Sequence, residues 1–213
     1  MSRSMVSVLA VFGATLTGCP GMDGTVPDGQ TGSQGLTLTW RADPSIPTTQ
    51  NPSVTEATLK VRSVRVIGDA GDSATTKERF ELKWSNNTSP QPILFDQAPA
   101  GKYAKIDVII RGFGSDDDSL EIAGTVRIAG TDYRYQIEDK AQISASITLP
   151  SSAILSPGGA LSVGVKVNLQ DVVRDIDFAS IEPDGNEIKI DEDSPAVLAA
   201  VRAALEASLS LDP

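Results

Sequence analysis

Histidine is absent from all 213 residues. Without it the chain has no Ser-His-Asp or Cys-His machinery, no histidine-ligated zinc and no imidazole base near neutral pH. Cysteine occurs once, at Cys19, so no intramolecular disulfide, CxxC redox pair or four-cysteine zinc site can form. Aromatic residues make up only 5% of the chain, against 40% hydrophobic overall. The core must therefore be built from Val, Ile, Leu and Ala. That scarcity also argues against a membrane-spanning barrel, which needs aromatic girdles at both interfaces. Positive charge is in short supply: 18 Lys and Arg stand against 28 Asp and Glu, for a formal net charge of -10. Such a surface repels phosphate backbones, so no nucleic-acid partner is expected, and electrostatic docking on anionic lipid is disfavoured as well. Attachment to a membrane would have to be hydrophobic or covalent.

The N-terminus supplies a covalent route. Arg3 is followed by the apolar run Met5-Val6-Ser7-Val8-Leu9-Ala10-Val11-Phe12, which is far short of the roughly 20 residues needed to span a bilayer. Residues 1–18 therefore read as an export signal. The run ends in Leu16-Thr17-Gly18-Cys19. This tetrad resembles the lipobox of bacterial lipoproteins: Leu, a small residue, Gly or Ala, then an obligate Cys. The resemblance implies cleavage before Cys19, diacylglycerol on its thiol and an acylated new amine, giving a stable multi-chain anchor. Cleavage removes Arg3 alone among charged residues, taking the charge from -10 to -11. Pro20 stands where an inner-membrane retention signal would place Asp, so by analogy the outer membrane is expected. Residues 19–35 hold the lipidated cysteine and a tether. From Pro20 to Gly35 nearly every residue is a turn or linker type, able to span roughly 20–25 Å as a Gly-rich coil.

Residues 36–213 read as one domain with period-two patterning. Leu36, Leu38 and Trp40 alternate with threonines, and Ala57, Leu59 and Val61 share a face before Val64 and Val66 change parity, as at a bulge. Ala104–Ile110, Leu120–Ile128, Tyr133–Ile137, Ile143–Leu149 and Leu161–Leu169 alternate likewise, and Ala129-Gly130-Thr131-Asp132 reads as a hairpin connection. Shorter candidates lie at 79–84 and 92–95. One-sided strands bury their apolar faces against one another, so the expected fold is mainly β: an antiparallel sandwich of about 8–10 strands. Only the end looks helical. Asp191, Glu192 and Asp193, Ser194 as N-cap and Pro195 at the first position announce a helix over about 195–209, carried by Val197, Leu198, Val201, Leu205 and Leu209.

Three stretches carry a family resemblance. They are Val54-Thr55-Glu56-Ala57-Thr58-Leu59-Lys60-Val61, Pro99-Ala100-Gly101-Lys102-Tyr103-Ala104-Lys105-Ile106, and Ile188-Lys189-Ile190-Asp191-Glu192-Asp193 before the final helix. Together they resemble the DUF4382-like bacterial lipoproteins, which implies a transthyretin-like or carboxypeptidase-regulatory-like sandwich over residues 36–209. It implies no catalytic residues.

Site candidates are few. No metal site is assigned, because Asp116-Asp117-Asp118 cannot easily aim three consecutive side chains at one ion. Were calcium held, its carboxylates would be Asp116 and Asp118, or Asp184 and Asp191. Asp184-Gly185 is first of all a turn signal. Trp40 reads as a core anchor. Trp84 reads first as a core residue too; lying ahead of the polar Asn86-Asn87-Thr88, it is also the candidate for stacking against a ligand. Tyr133 and Tyr135 share the face of Ile137 and are expected inward. No catalytic and no cofactor-binding residue is expected. The leading reading is a non-catalytic, lipid-anchored binding or assembly module whose partner is an envelope protein or glycan. A carbohydrate-binding lipoprotein, with or without calcium, is the alternative. An envelope hydrolase with two carboxylates in one cleft is the third.

Overall fold

In a computed structural model, residues 35–69, 74–85 and 90–212 are described. They form a mainly β structure with the expected C-terminal helix. Twelve strands are present among them: β1 (Gly35–Ala42), β2 (Ser53–Gly68), β3 (Ala74–Trp84), β4 (Gln91–Phe95), β5 (Gly101–Ile110), β6 (Leu120–Ile128), β7 (Thr131–Asp139), β8 (Ile143–Thr148), β9 (Ile154–Leu155), β10 (Ala160–Val167), β11 (Glu187–Ile190) and β12 (Leu209–Asp212). Helix α1 spans Leu169–Arg174, and α2 spans Pro195–Ser208.

Two sheets share the core. One runs β12-β10-β1-β4. The other is a curled half-barrel organised on β2, whose 16 residues exceed an ordinary strand about threefold. One edge of β2 carries β3 along most of its length; the other carries β6 over Ser53–Leu59 and then β5 over Val61–Gly68. The changeover falls at Lys60, whose N–H donates to Ser119 O at 3.0 Å while its C=O accepts from Arg111 N at 2.9 Å. The parity switch beside it is a bulge, with the register against β5 slipping between Val61 and Ser63.

Apolar alternation places the core as the sequence indicates. Leu36, Leu38, Trp40, Leu59, Val61, Ile106, Ile122, Ile137 and Val165 are all buried in one cluster. Ala129 and Gly130 take φ of 49° and 89°, as a two-residue hairpin turn requires. Gly124 is demanded by a close approach. A Cβ there would lie 1.9 Å from Ser53 O and 2.5 Å from the Tyr135 hydroxyl, which crosses over it to donate to Ser53 O at 2.9 Å. Tyr135 is buried and meets Phe178 with ring centroids 4.8 Å apart.

Two features were not foreseen. The pairs β1–β10 and β7–β11 run parallel within an otherwise antiparallel sandwich. And the alternation Leu161–Leu169 is not one strand. It leaves the sheet at Val167, and Leu169 opens α1, where Asn168 Oδ1 accepts from Asp171 N at 3.1 Å. The α2 start also differs from expectation. Ser194 occupies the N-cap but makes no side-chain capping bond. Asp191 acts instead, its Oδ1 accepting from Asp193 N at 3.1 Å and its C=O from Ser194 N at 2.8 Å. Among the described residues no helix is long and apolar enough to cross a membrane.

Candidate functional site

The ends of β7 and β11 and the first turns of α2 enclose a charged cleft of about 320 Å3. Alternation on β7 turns Asp139 inward, where it is 3% exposed. Burying a carboxylate there requires a partner, and α2 supplies one. Arg202 grips Asp139 in a fork, Nε to Oδ2 at 2.6 Å and Nη2 to Oδ1 at 3.0 Å. Asp139 Oδ1 also accepts from Ala141 N at 3.0 Å. Its hydrogen bonds to Asp139 raise the Arg202 guanidinium pKa further above the ordinary arginine value. Nearer the mouth, Lys189 lies 3.2 Å from Glu138 and 3.5 Å from Asp191, and Lys140 lies 3.7 Å from Glu192. The hydrogen bond from Lys189 to Glu138, reinforced by Asp191, raises the ammonium pKa. Four of the five carboxylates in the cleft are thus engaged by cations, Asp118 being the exception. Within the cleft the Arg202–Asp139 pair ties α2 to β7, and the Lys189–Glu138 pair ties β11 to β7.

A second hollow, of about 460 Å3, is lined by polar and charged residues. Asn51 bonds Arg127 backbone in both directions, accepting from its N–H at 2.7 Å and donating to its C=O at 3.1 Å. The Arg127 side chain forks onto Asp132 at 2.6 and 2.7 Å. Hydrogen bonding between the two raises the Arg127 pKa and lowers that of Asp132, although both are exposed.

The residues singled out by sequence fall in different places. Asp118 and Asp191 line the same charged cleft, whereas Asp116 and Asp184 do not. Asp116 is exposed in the β5–β6 loop, where the ordering contact is made by its neighbour: Asp117 Oδ2 accepts from Gly114 N at 3.0 Å. Asp184 closes a turn with Glu187 through two backbone bonds, with Gly185 at φ 62°. Among the described residues no three His, Cys, Asp or Glu side chains come close enough to hold a metal. Of the two places open to Trp84, the core and a stacking face, it takes the core. It is 2% exposed, facing the core with Leu82 on the same parity, and offers no stacking face. Trp40 is fully buried, as expected. Cys19 and Asn86-Asn87-Thr88 lie outside the described residues.

Charge is distributed unevenly along the chain. Residues 36–168 hold fifteen acids and fourteen bases, nearly neutral, whereas residues 169–212 hold eleven acids and three bases. The C-terminal segment therefore carries -8 of the total -10. Neither the Arg202–Asp139 latch nor α1 was found by sequence reasoning. The latch joins residues 63 apart and has no local signal. For α1 the signal was Asn168 three residues before Asp171, a capping pattern. The chain matches no family model, no curated protein and no solved structure, so what it does must be argued from its own residues.

Proposed function

We propose that this chain is a lipid-anchored envelope protein whose β domain is a non-catalytic binding or assembly module. The observation that carries the reading is the tetrad Leu16-Thr17-Gly18-Cys19, placed directly after a short apolar run and containing the only cysteine. Acylation there would hold the domain at a membrane surface, on a spacer of turn-forming residues. Pro20 favours the outer membrane. The non-catalytic reading is supported by the lack of histidine and by the pairing of four of the five cleft carboxylates with Lys140, Lys189 and Arg202. A carboxylate held by a cation at ion-pair distance is poorly placed to donate or accept protons on a substrate.

Metabolic labelling with radioactive palmitate tests the anchor. The natural chain incorporates label and sediments with membranes, and Cys19→Ala does neither. A Cys19→Ala chain that still takes up label and stays with membranes would sink the proposal.

A further inference from the structure

Helices α1 and α2 leave between them an open groove of about 490 Å3. Its α2 wall is Ala196, Val197, Ala200 and Ala203, and Ile176 faces them after the end of α1. The exposed positions of a solvated helix are ordinarily charged or polar. On α2 they are 195, 196, 199, 200, 203, 206 and 207, and five of these seven are alanine. Alanine is too short to fill the groove from within and has no polar group to hold water there. The rim is acidic. Asp171, Asp175 and Asp177 line it, opposed by Arg174, which pairs with Asp171 and lies 3.2 Å from Asp175. Asp177 is exposed and its carboxylate makes no ion pair among the described residues.

Charge selects the occupant. A second copy would bring a second rim of three aspartates and one arginine against the first. An anionic lipid surface would be repelled in the same way. A basic amphipathic segment satisfies both parts of the site: its apolar face fills the alanine-walled groove, and its Lys or Arg side chains meet Asp177 and the outer rim. We infer that the α1–α2 groove docks a basic amphipathic helix of a protein partner. This deepens the reading as a binding module and rests on it.

The test titrates the full chain with synthetic helical peptides of about four turns. One is Leu/Lys amphipathic, one is its Leu/Glu counterpart, and one is a Ser/Lys peptide of equal charge. The Leu/Lys peptide should bind, the Leu/Glu peptide should not, and Ser/Lys should bind about tenfold more weakly. Ala200→Gln and Ala203→Gln, each filling the groove from an exposed position, should each weaken Leu/Lys binding about tenfold with far-UV circular dichroism unchanged. Asp177→Asn should weaken it about threefold and flatten its salt dependence. Binding untouched by both glutamine variants would reduce the effect to general attraction by an acidic surface and overturn the inference. So would equal binding of Leu/Glu, or self-association or uptake on anionic vesicles that the glutamine variants abolish. Failure of the palmitate test would remove the anchor and leave the peptide result standing; absent peptide binding would remove the groove and leave the anchor.

Discussion

The strands over residues 36–168 and the cap over 169–212 solve the problem of surface charge in opposite ways. In the sandwich, acids and bases alternate along strand faces and neutralise one another across ladders, as in Lys83–Glu56, Lys60–Glu121 and Lys105–Asp107. Exposed pairs of this kind contribute little energy. They leave residues 36–168 nearly neutral, with fifteen acids against fourteen bases. The cap accumulates negative charge and is kept in place from beneath, by Leu198, Val201 and Leu205 in the common core and by the Arg202–Asp139 latch. The difference is one of charge: the sandwich is a nearly neutral body, and the cap carries a negative field.

The comparison can be broken most severely at its shared foundation. Leu205 is fully buried in the same cluster as the sheet residues. Leu205→Ala should therefore cost about 4 kcal/mol, measured by urea unfolding as a single transition. Loss of hydrogen-exchange protection confined to α2 would mean that cap and sandwich unfold separately. Within the sandwich, Gly124→Ala forces a methyl onto Ser53 O and displaces the Tyr135 hydroxyl. A loss of about 3 kcal/mol is expected, and a stability equal to the natural chain would show that β2 and β6 can part there without cost. Arg202→Ala leaves Asp139 buried without its cation. Because Arg202 is one-third exposed, the loss should be about 2 kcal/mol, below the 3–5 kcal/mol typical of fully buried pairs.

Acid distinguishes the halves more finely. Burial pushes the Asp107 pKa up, but hydrogen bonds from Ser146 and Lys105 and the charges of Lys105 and Arg65 outweigh it and hold the pKa below 3.8. A folded value below the unfolded one gives stability that is present above pH 3.8 and lost as pH falls through the folded value. Asp107→Asn should flatten the stability profile below pH 3.8, and an unchanged slope would remove Asp107 from the account. The smallest effect concerns the field itself. Raising salt about tenfold should slow amide exchange over residues 175–193, where eight acids stand against one base, by screening their mutual repulsion and leave β2 unaffected. Equal slowing in both would erase the distinction between them.

Much of the sandwich was legible because period-two alternation is a local property. The strand through Trp40, the bulge after Val61 and the hairpin at Ala129-Gly130 all announce themselves within a few residues. The burial of Trp84 was legible too, since Leu82 shares its parity; the polar residues after it pointed the other way. Parallel pairing was not readable. Leu36 and Leu161 stand opposite each other in β1 and β10, and nothing near either residue encodes the other. The end of β10 was hidden because alternation continues past the point where the backbone turns, and Leu169 is buried as a helix residue just as it would be in a strand. The groove escaped notice because alanines suit any helix; their meaning depends on Ile176 and Asp177 standing opposite.

The order of pairing in the smaller sheet has a temporal consequence. β1 is the earliest of the described strands along the chain, yet one of its two neighbours, β10, begins only at Ala160, and β10 in turn is flanked by β12 at Leu209. That sheet cannot close until residues 160–167 have come back to β1 and residues 209–212 to β10. Such distant pairing is slow to form, because the loop-closure entropy is lost before the contacts are gained. The connectivity of these four strands thereby ties completion of the smaller sheet to residues far apart along the described chain.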